Sequence, residues 1–181
     1  MNNRQETVAA YERLMVKVAN DDELRHYVER ELAKSDLFYL LVNILGRNDV
    51  NRDWLYDRCR EVEAAPDGYL DLWPREYYKS TIITYGKTIQ DILCDPEITI
   101  GIFSYSRPIA KAFLRQIKRE FEANETLRLL FRIFAGRIRS AMRQSGVRTT
   151  GLLCSARVIP KRVLLRHGGW LMRSLLLDII S

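Results

Sequence analysis

Along the first 65 residues, apolar positions return every three or four residues, the period of a helix with one buried face. Between Glu6 and Val18 they fall at Val8, Tyr11, Leu14, Met15 and Val18. Asp21 or Asp22 can cap a second helix running to Lys34, faced by Leu24, Tyr27, Val28 and Leu32. Ser35 or Asp36 opens a third and more hydrophobic helix, Leu37 to Leu45, with Gly46 closing it. A fourth, Asn51 to Glu63, carries Trp54, Leu55, Tyr56 and Val62. The turn residues Ala64-Ala65-Pro66-Asp67-Gly68 end it.

The pattern then changes. Tyr69 to Leu72 predicts a short strand, Trp73 to Tyr78 a loop, and Lys79 to Leu93 a helix that Asp95-Pro96 breaks. Ile98 to Phe103 is apolar on both faces apart from Thr99, which suits a parallel strand covered on each side. Ser106 caps the next helix, with Pro108 in its first turn and Phe113, Leu114, Ile117 and Phe121 along it. Strand, helix, strand, helix is a βαβα unit, so the expected fold class is α/β. Residues 1–65 form an N-terminal helical segment and 66–131 an incomplete parallel sheet with its helices.

Composition supports a folded chain: 47% of the 181 residues are apolar and 10% aromatic. No apolar run reaches the roughly 18 to 20 residues of a membrane helix. The best candidate, Trp170 to Ile180, is broken by Arg173 and Asp178, and Met1 to Asn20 has no secretory core. Cys59, Cys94 and Cys154 show no CxxC spacing, which argues against a disulfide framework or a zinc site and for a reducing compartment.

The formal net charge of +6 suggests a nucleic-acid binder until its distribution is examined. Residues 1–131 hold 19 Lys and Arg against 22 Asp and Glu, a net of −3. Residues 132–181 hold ten, nine of them Arg, against the single acid Asp178, a net of +9. In that tail the helical period fades, and Arg, Leu and Ser, the residues with six codons each, make up 22 of 50 positions.

One stretch carries candidate chemistry: Trp73-Pro74-Arg75-Glu76-Tyr77-Tyr78-Lys79-Ser80-Thr81, a loop entering a helix. A phosphate-binding loop needs inward backbone N–H groups at a helix start, a Lys for the β and γ phosphates, and a Ser or Thr hydroxyl on the Mg²⁺ side. Lys79-Ser80 stands at that place, although Trp73 and Tyr78 occupy the two glycine positions of GxxxxGK[ST]. On pattern alone, a helix start with a solvated lysine is the competing reading. His26 and His167 form no catalytic pairing with a Ser, Cys or Asp, and Asp21-Asp22-Glu23 reads as a helix cap rather than a metal site.

The run from Asp36 to Glu122, with DLWPREYYKSTIITYGK at its centre, resembles the N-terminal ATPase part of tailed-phage terminase large subunits, the motors that drive phage DNA into the capsid. The resemblance covers about residues 30–131. It implies a P-loop NTPase-like sheet, ATP and Mg²⁺ as cofactors, and a place in the cytoplasm of a bacterial host. It also implies phage DNA, the portal protein and the small terminase subunit as partners, with no membrane. By this resemblance Arg75 matches the arginine of terminase Walker A loops, Lys79 the phosphate-binding lysine and Ser80 the Mg²⁺-side hydroxyl. Thr81 is either a second hydroxyl or an ordinary first-turn residue. Some terminase branches carry glycine-poor loops of this kind.

A working motor of this class also needs a Walker B Asp and a Glu that orients the attacking water. After Glu125 the sole acid is Asp178, so hydrolysis by this chain is not expected. The tail reads as out of frame, as if one nucleotide were lost near Phe131-Arg132. Val158 to Arg162, taken one base earlier, can give Ser-Asn-Pro-Lys-Glu, and Leu165 to Met172 can give Glu-Ala-Trp-Gly-Leu-Val-Asp. Both strings resemble terminase sequence further along. The expected function is therefore that of a terminase large-subunit fragment, prophage- or phage-derived and inactive. The alternative is a small basic DNA-binding protein whose Arg-rich tail holds phosphates by charge.

Overall fold

The computed structural model describes residues 3–132, which belong to one compact unit. The tail, with every expectation placed on it, lies outside the described residues.

The segment Leu37 to Ile44 is apolar apart from the exposed Asn43, so nearly all of its surface seeks burial. It begins as α3 (Leu37–Tyr39) and continues as a π-helical stretch, Leu40–Ile44. Leu37, Phe38, Leu40 and Leu41 are completely buried. Each contributes about 1.5–3 kcal/mol by leaving water. Asp36 starts the segment as an N-cap, accepting the Tyr39 N–H at 2.9 Å. Gly46, at φ +66°, turns the chain out of it.

The other helices wrap this axis with the apolar stripes read above. α1 (Asn3–Lys17) lies against α4 (Asp53–Ala64), where the Thr7 and Tyr56 hydroxyls meet at 2.9 Å and Arg4 reaches Asn51 at 2.7 Å. α2 (Asp22–Ser35), capped by Asp21 through the Leu24 N–H, inserts Val28, Leu32 and Ala33. A second π-helical stretch, Ser80–Lys87, runs directly into α5 (Thr88–Cys94). It brings Ile82, Tyr85, Ile89 and Leu93 to the core. It crosses the first π stretch at Gly86, where a Cβ would stand 2.7 Å from Leu41 Cδ2. α6 (Arg107–Ala123) adds Ile117 and Phe121. α7 (Glu125–Leu130) closes the core with Leu127 and Leu130. Asn124, between them, caps α7 through the Leu127 N–H and donates to the Ile44 carbonyl, each at 3.0 Å.

The fold is all-helical, and the α/β expectation with its parallel sheet is wrong: the described residues contain no strand. Tyr69 to Leu72 and Ile98 to Phe103 form no ladder with each other or with any neighbour. Leu70 is 75%, Leu72 82% and Phe103 84% exposed. A short apolar run does not make a strand by itself, because cross-strand pairing supplies the stabilisation. With no partner strand, these runs are extended connections on the surface. The βαβα unit and the P-loop-type sheet fall with them.

Among the described residues, no helix is long and apolar enough to cross a membrane.

Candidate functional site

The loop ahead of the Ser80–Lys87 stretch is held by one face of α4. Trp54 and Arg58 stand four residues apart on that helix and so share a face. The Arg58 guanidinium lies 5.4 Å from the Trp73 ring centre, at the loop's start. Trp54 meets Tyr77 edge to face at 5.7 Å and Tyr78 at 6.3 Å, at the loop's end. Arg52, just before α4, lies 5.9 Å from the Tyr78 ring centre. Each aromatic pair is worth about 0.5–1.5 kcal/mol beyond area burial. Each exposed cation–π contact is worth about 0.5–1 kcal/mol. The loop is therefore fastened at both ends.

Between those fastenings the backbone turns into a conformation that side-chain-bearing residues rarely adopt. Glu76 has φ +67° and Tyr78 φ +61°, both left-handed. Lys79 follows at φ −50°, ψ −51°, ordinary right-handed helix. A left-handed residue followed by a right-handed one turns successive N–H groups toward the same concave side and makes an anion-binding nest. The second glycine position of the phosphate-loop pattern is thus occupied by a tyrosine whose backbone behaves as glycine's would. The concavity has a volume of about 490 Å³ and, among the described residues, is lined by residues 74–81.

All four residues singled out from the sequence line it: Arg75, Lys79, Ser80 and Thr81. Arg75, Lys79 and Ser80 are exposed and Thr81 is half-buried. Neither Arg75 nor Lys79 makes an ion pair among the described residues, so both cations are available to an incoming anion. Arg75, Lys79 and the Ser80 and Thr81 hydroxyls line the concavity together with the Glu76 carboxylate, so its lining keeps one net positive charge for an anion. A Mg²⁺ ion takes oxygen ligands, keeps several waters and leans on substrate phosphates. The Ser80 hydroxyl suits one arriving with its phosphates. No group of three or more His, Cys, Asp or Glu that could hold a metal by itself occurs among the described residues. Asp21 is a cap, and Asp22 pairs with Arg25 at 2.9 Å.

The other dense cluster of charge is structural. Arg60 bridges Asp36 and Glu63, the latter at 3.0 Å, and the Tyr11 hydroxyl donates to Asp36. Glu63 also accepts the Leu37 N–H at 2.5 Å and Gln90 Nε2 at 3.2 Å. Burial raises the Glu63 carboxyl above its ordinary 4.5, although Arg60 works the other way. Burial and then the Asp36 charge push the Tyr11 hydroxyl far up, so it remains a donor. Next to this cluster the buried Cys59 thiol is pushed up to about 12, mainly by desolvation, which leaves it inert. The network pins α1, α3, α4 and α5 to one another.

Trp54, Arg52 and Arg58 escape sequence reasoning as site residues, since an aromatic on an amphipathic helix reads as core. The available signal was the four-residue spacing of Trp54 and Arg58, one aromatic and one cation on a single face, opposite a loop containing Trp73, Tyr77 and Tyr78. No protein-family model, no curated protein sequence and no solved structure matches the chain.

Proposed function

We propose that residues 74–81 form a phosphate-binding loop for a nucleoside triphosphate, in a chain derived from a terminase-like DNA-packaging motor. The observation that carries the nucleotide reading is the pair of left-handed residues, Glu76 and Tyr78, immediately ahead of Lys79 and Ser80. Left-handed backbone costs such residues about 1–2 kcal/mol each. A bland helix start has no need of it, whereas an anion nest does. In this reading Lys79 takes the β and γ phosphates, Arg75 neutralises charge at the loop's outer side, and Ser80 faces the Mg²⁺ that accompanies them. Thr81, one residue into the helix, offers a second hydroxyl.

The packaging part of the proposal rests on the resemblance of residues 30–131 to terminase large subunits. Phage DNA, portal protein and small terminase subunit are the partners it brings. Hydrolysis is not part of the proposal, because the described residues bring no carboxylate cluster to the loop.

Isothermal titration with Mg·ATP and with Mg·tripolyphosphate tests the site. Both ligands are expected to bind the full chain weakly, and Lys79→Ala is expected to abolish both. Binding of either ligand that survives Lys79→Ala unchanged would put the anion elsewhere and refute the assignment.

A further inference from the structure

Beside the loop lies an exposed aromatic surface that phosphate binding does not require. Trp54 is engaged by both Tyr77 and Tyr78, whereas Tyr77 has Trp54 as its one ring contact among the described residues. Tyr77, which lines the 490 Å³ concavity, is 53% exposed, and Trp54, packed against it from α4, is 39% exposed. Tyr77 lies two residues before Lys79. A nucleotide whose phosphates sit on Lys79 carries its base beyond them by about the length of one ribose, and Tyr77 lines the same concavity. The volume falls in the range of roughly 300–1,000 Å³ found for small-molecule sites.

Resting on the phosphate-loop reading above, we propose that Tyr77, its ring held by Trp54, is the platform on which the base of the bound nucleotide stacks. The platform offers a ring face rather than a donor and acceptor pattern. Its neighbouring cations, Arg52 and Arg58, are already directed at Tyr78 and Trp73. Stacking is tolerant of base identity, because every base has a π-face. The site therefore grips the larger purine surface without telling adenine from guanine, and holds pyrimidines less well.

Titrating the full chain with Mg·tripolyphosphate, Mg·ATP, Mg·GTP and Mg·UTP separates the phosphate contribution from that of the base. ATP and GTP are expected to bind alike and about tenfold more tightly than tripolyphosphate, with UTP between. Trp54→Ala and Tyr77→Ala should each reduce that excess, read as the ratio of ATP to tripolyphosphate affinity within the same variant. Equal affinity for ATP and tripolyphosphate in the unaltered chain would overturn the platform while leaving the phosphate loop standing. So would an undiminished excess in both variants. A strong preference for ATP over GTP would overturn it as well, since it demands a group reading the base edge. Failure of every ligand to bind would remove both readings together. The comparison within the unaltered chain needs no substitution, so a variant that fails to fold does not shield the idea.

Discussion

Glu76 is the residue at which the loop's backbone cost can be isolated. It is exposed, makes no hydrogen bond or ion pair among the described residues, and holds φ at +67°. Glycine at this position removes the Cβ clash of the left-handed conformation, worth about 1–2 kcal/mol. It also loosens the unfolded chain, which returns about 0.5–1 kcal/mol of that gain. The net expectation for Glu76→Gly is a stabilisation of about 0.5–1 kcal/mol. For a domain of this size that is a rise of about 2–4 °C in Tm per kcal/mol, followed by circular dichroism at a helix band. Glu76→Ala supplies the control: alanine still carries a Cβ, so Tm should stay within about 0.5 kcal/mol of the starting chain. Tyr78→Gly relieves the same strain at φ +61° but loses the contacts to Trp54 and Arg52. Those are worth about 0.5–1.5 and 0.5–1 kcal/mol, so this change should be neutral or destabilising. A lower Tm for Glu76→Gly, or an equal rise for Glu76→Ala, would show that the loop is not left-handed at Glu76 and would remove the nest.

Two further outcomes follow from the packing and the charges. Gly86→Ala forces a Cβ to within 2.7 Å of the buried Leu41 side chain and should cost about 1–3 kcal/mol, with Leu41→Ala in the same chain recovering part of the loss at the crossing. Glu63, whose carboxyl is raised by burial, favours its neutral form in the folded state. Its contribution is therefore largest at pH below 4.5 and declines as pH rises through the raised value. The Tm of Glu63→Gln minus that of the unaltered chain should climb between about pH 4 and pH 7, and a flat or falling difference would contradict the assignment.

Much of the helical part of this fold is legible in the sequence because helices are local. Asp21 and Asp36 cap where their positions before apolar runs indicate, and Gly46 turns the chain where Leu45 ends the third stripe. The two strands expected from the sequence do not form, because a strand depends on a partner that can be anywhere in the chain. Ile98 to Phe103 has a strand's side chains and no neighbour to pair with. α7 was passed over although Asn124 is a good cap, since only six residues follow it in the helix. The π character of Leu40–Ile44 and Ser80–Lys87 leaves no mark on a three-to-four residue period over such short spans. At the loop, residue types pointed to Lys79 and Ser80, while the left-handed turn at Glu76 and Tyr78 came from backbone that no glycine announces.

The π stretch Ser80–Lys87 also gives the loop a dependence on chain length that no side chain carries. Its hydrogen bonds close over five residues instead of four, so it accommodates surplus chain within a helix that otherwise continues into α5. Were the same residues all wound as ordinary α-helix with the core contacts from Ile89 onward in place, the surplus would appear as extra rotation of up to about 100° about the helix axis, the angle one residue subtends. Lys79 and the loop ahead of it would then turn away from α4, and Trp54 would lose Tyr77 and Tyr78 together. Removing one residue, Ile83 for example, would instead let the helix become α while the loop kept its bearing. The wide turn thus aims the loop, and a one-residue deletion within it is the length change the loop should best survive.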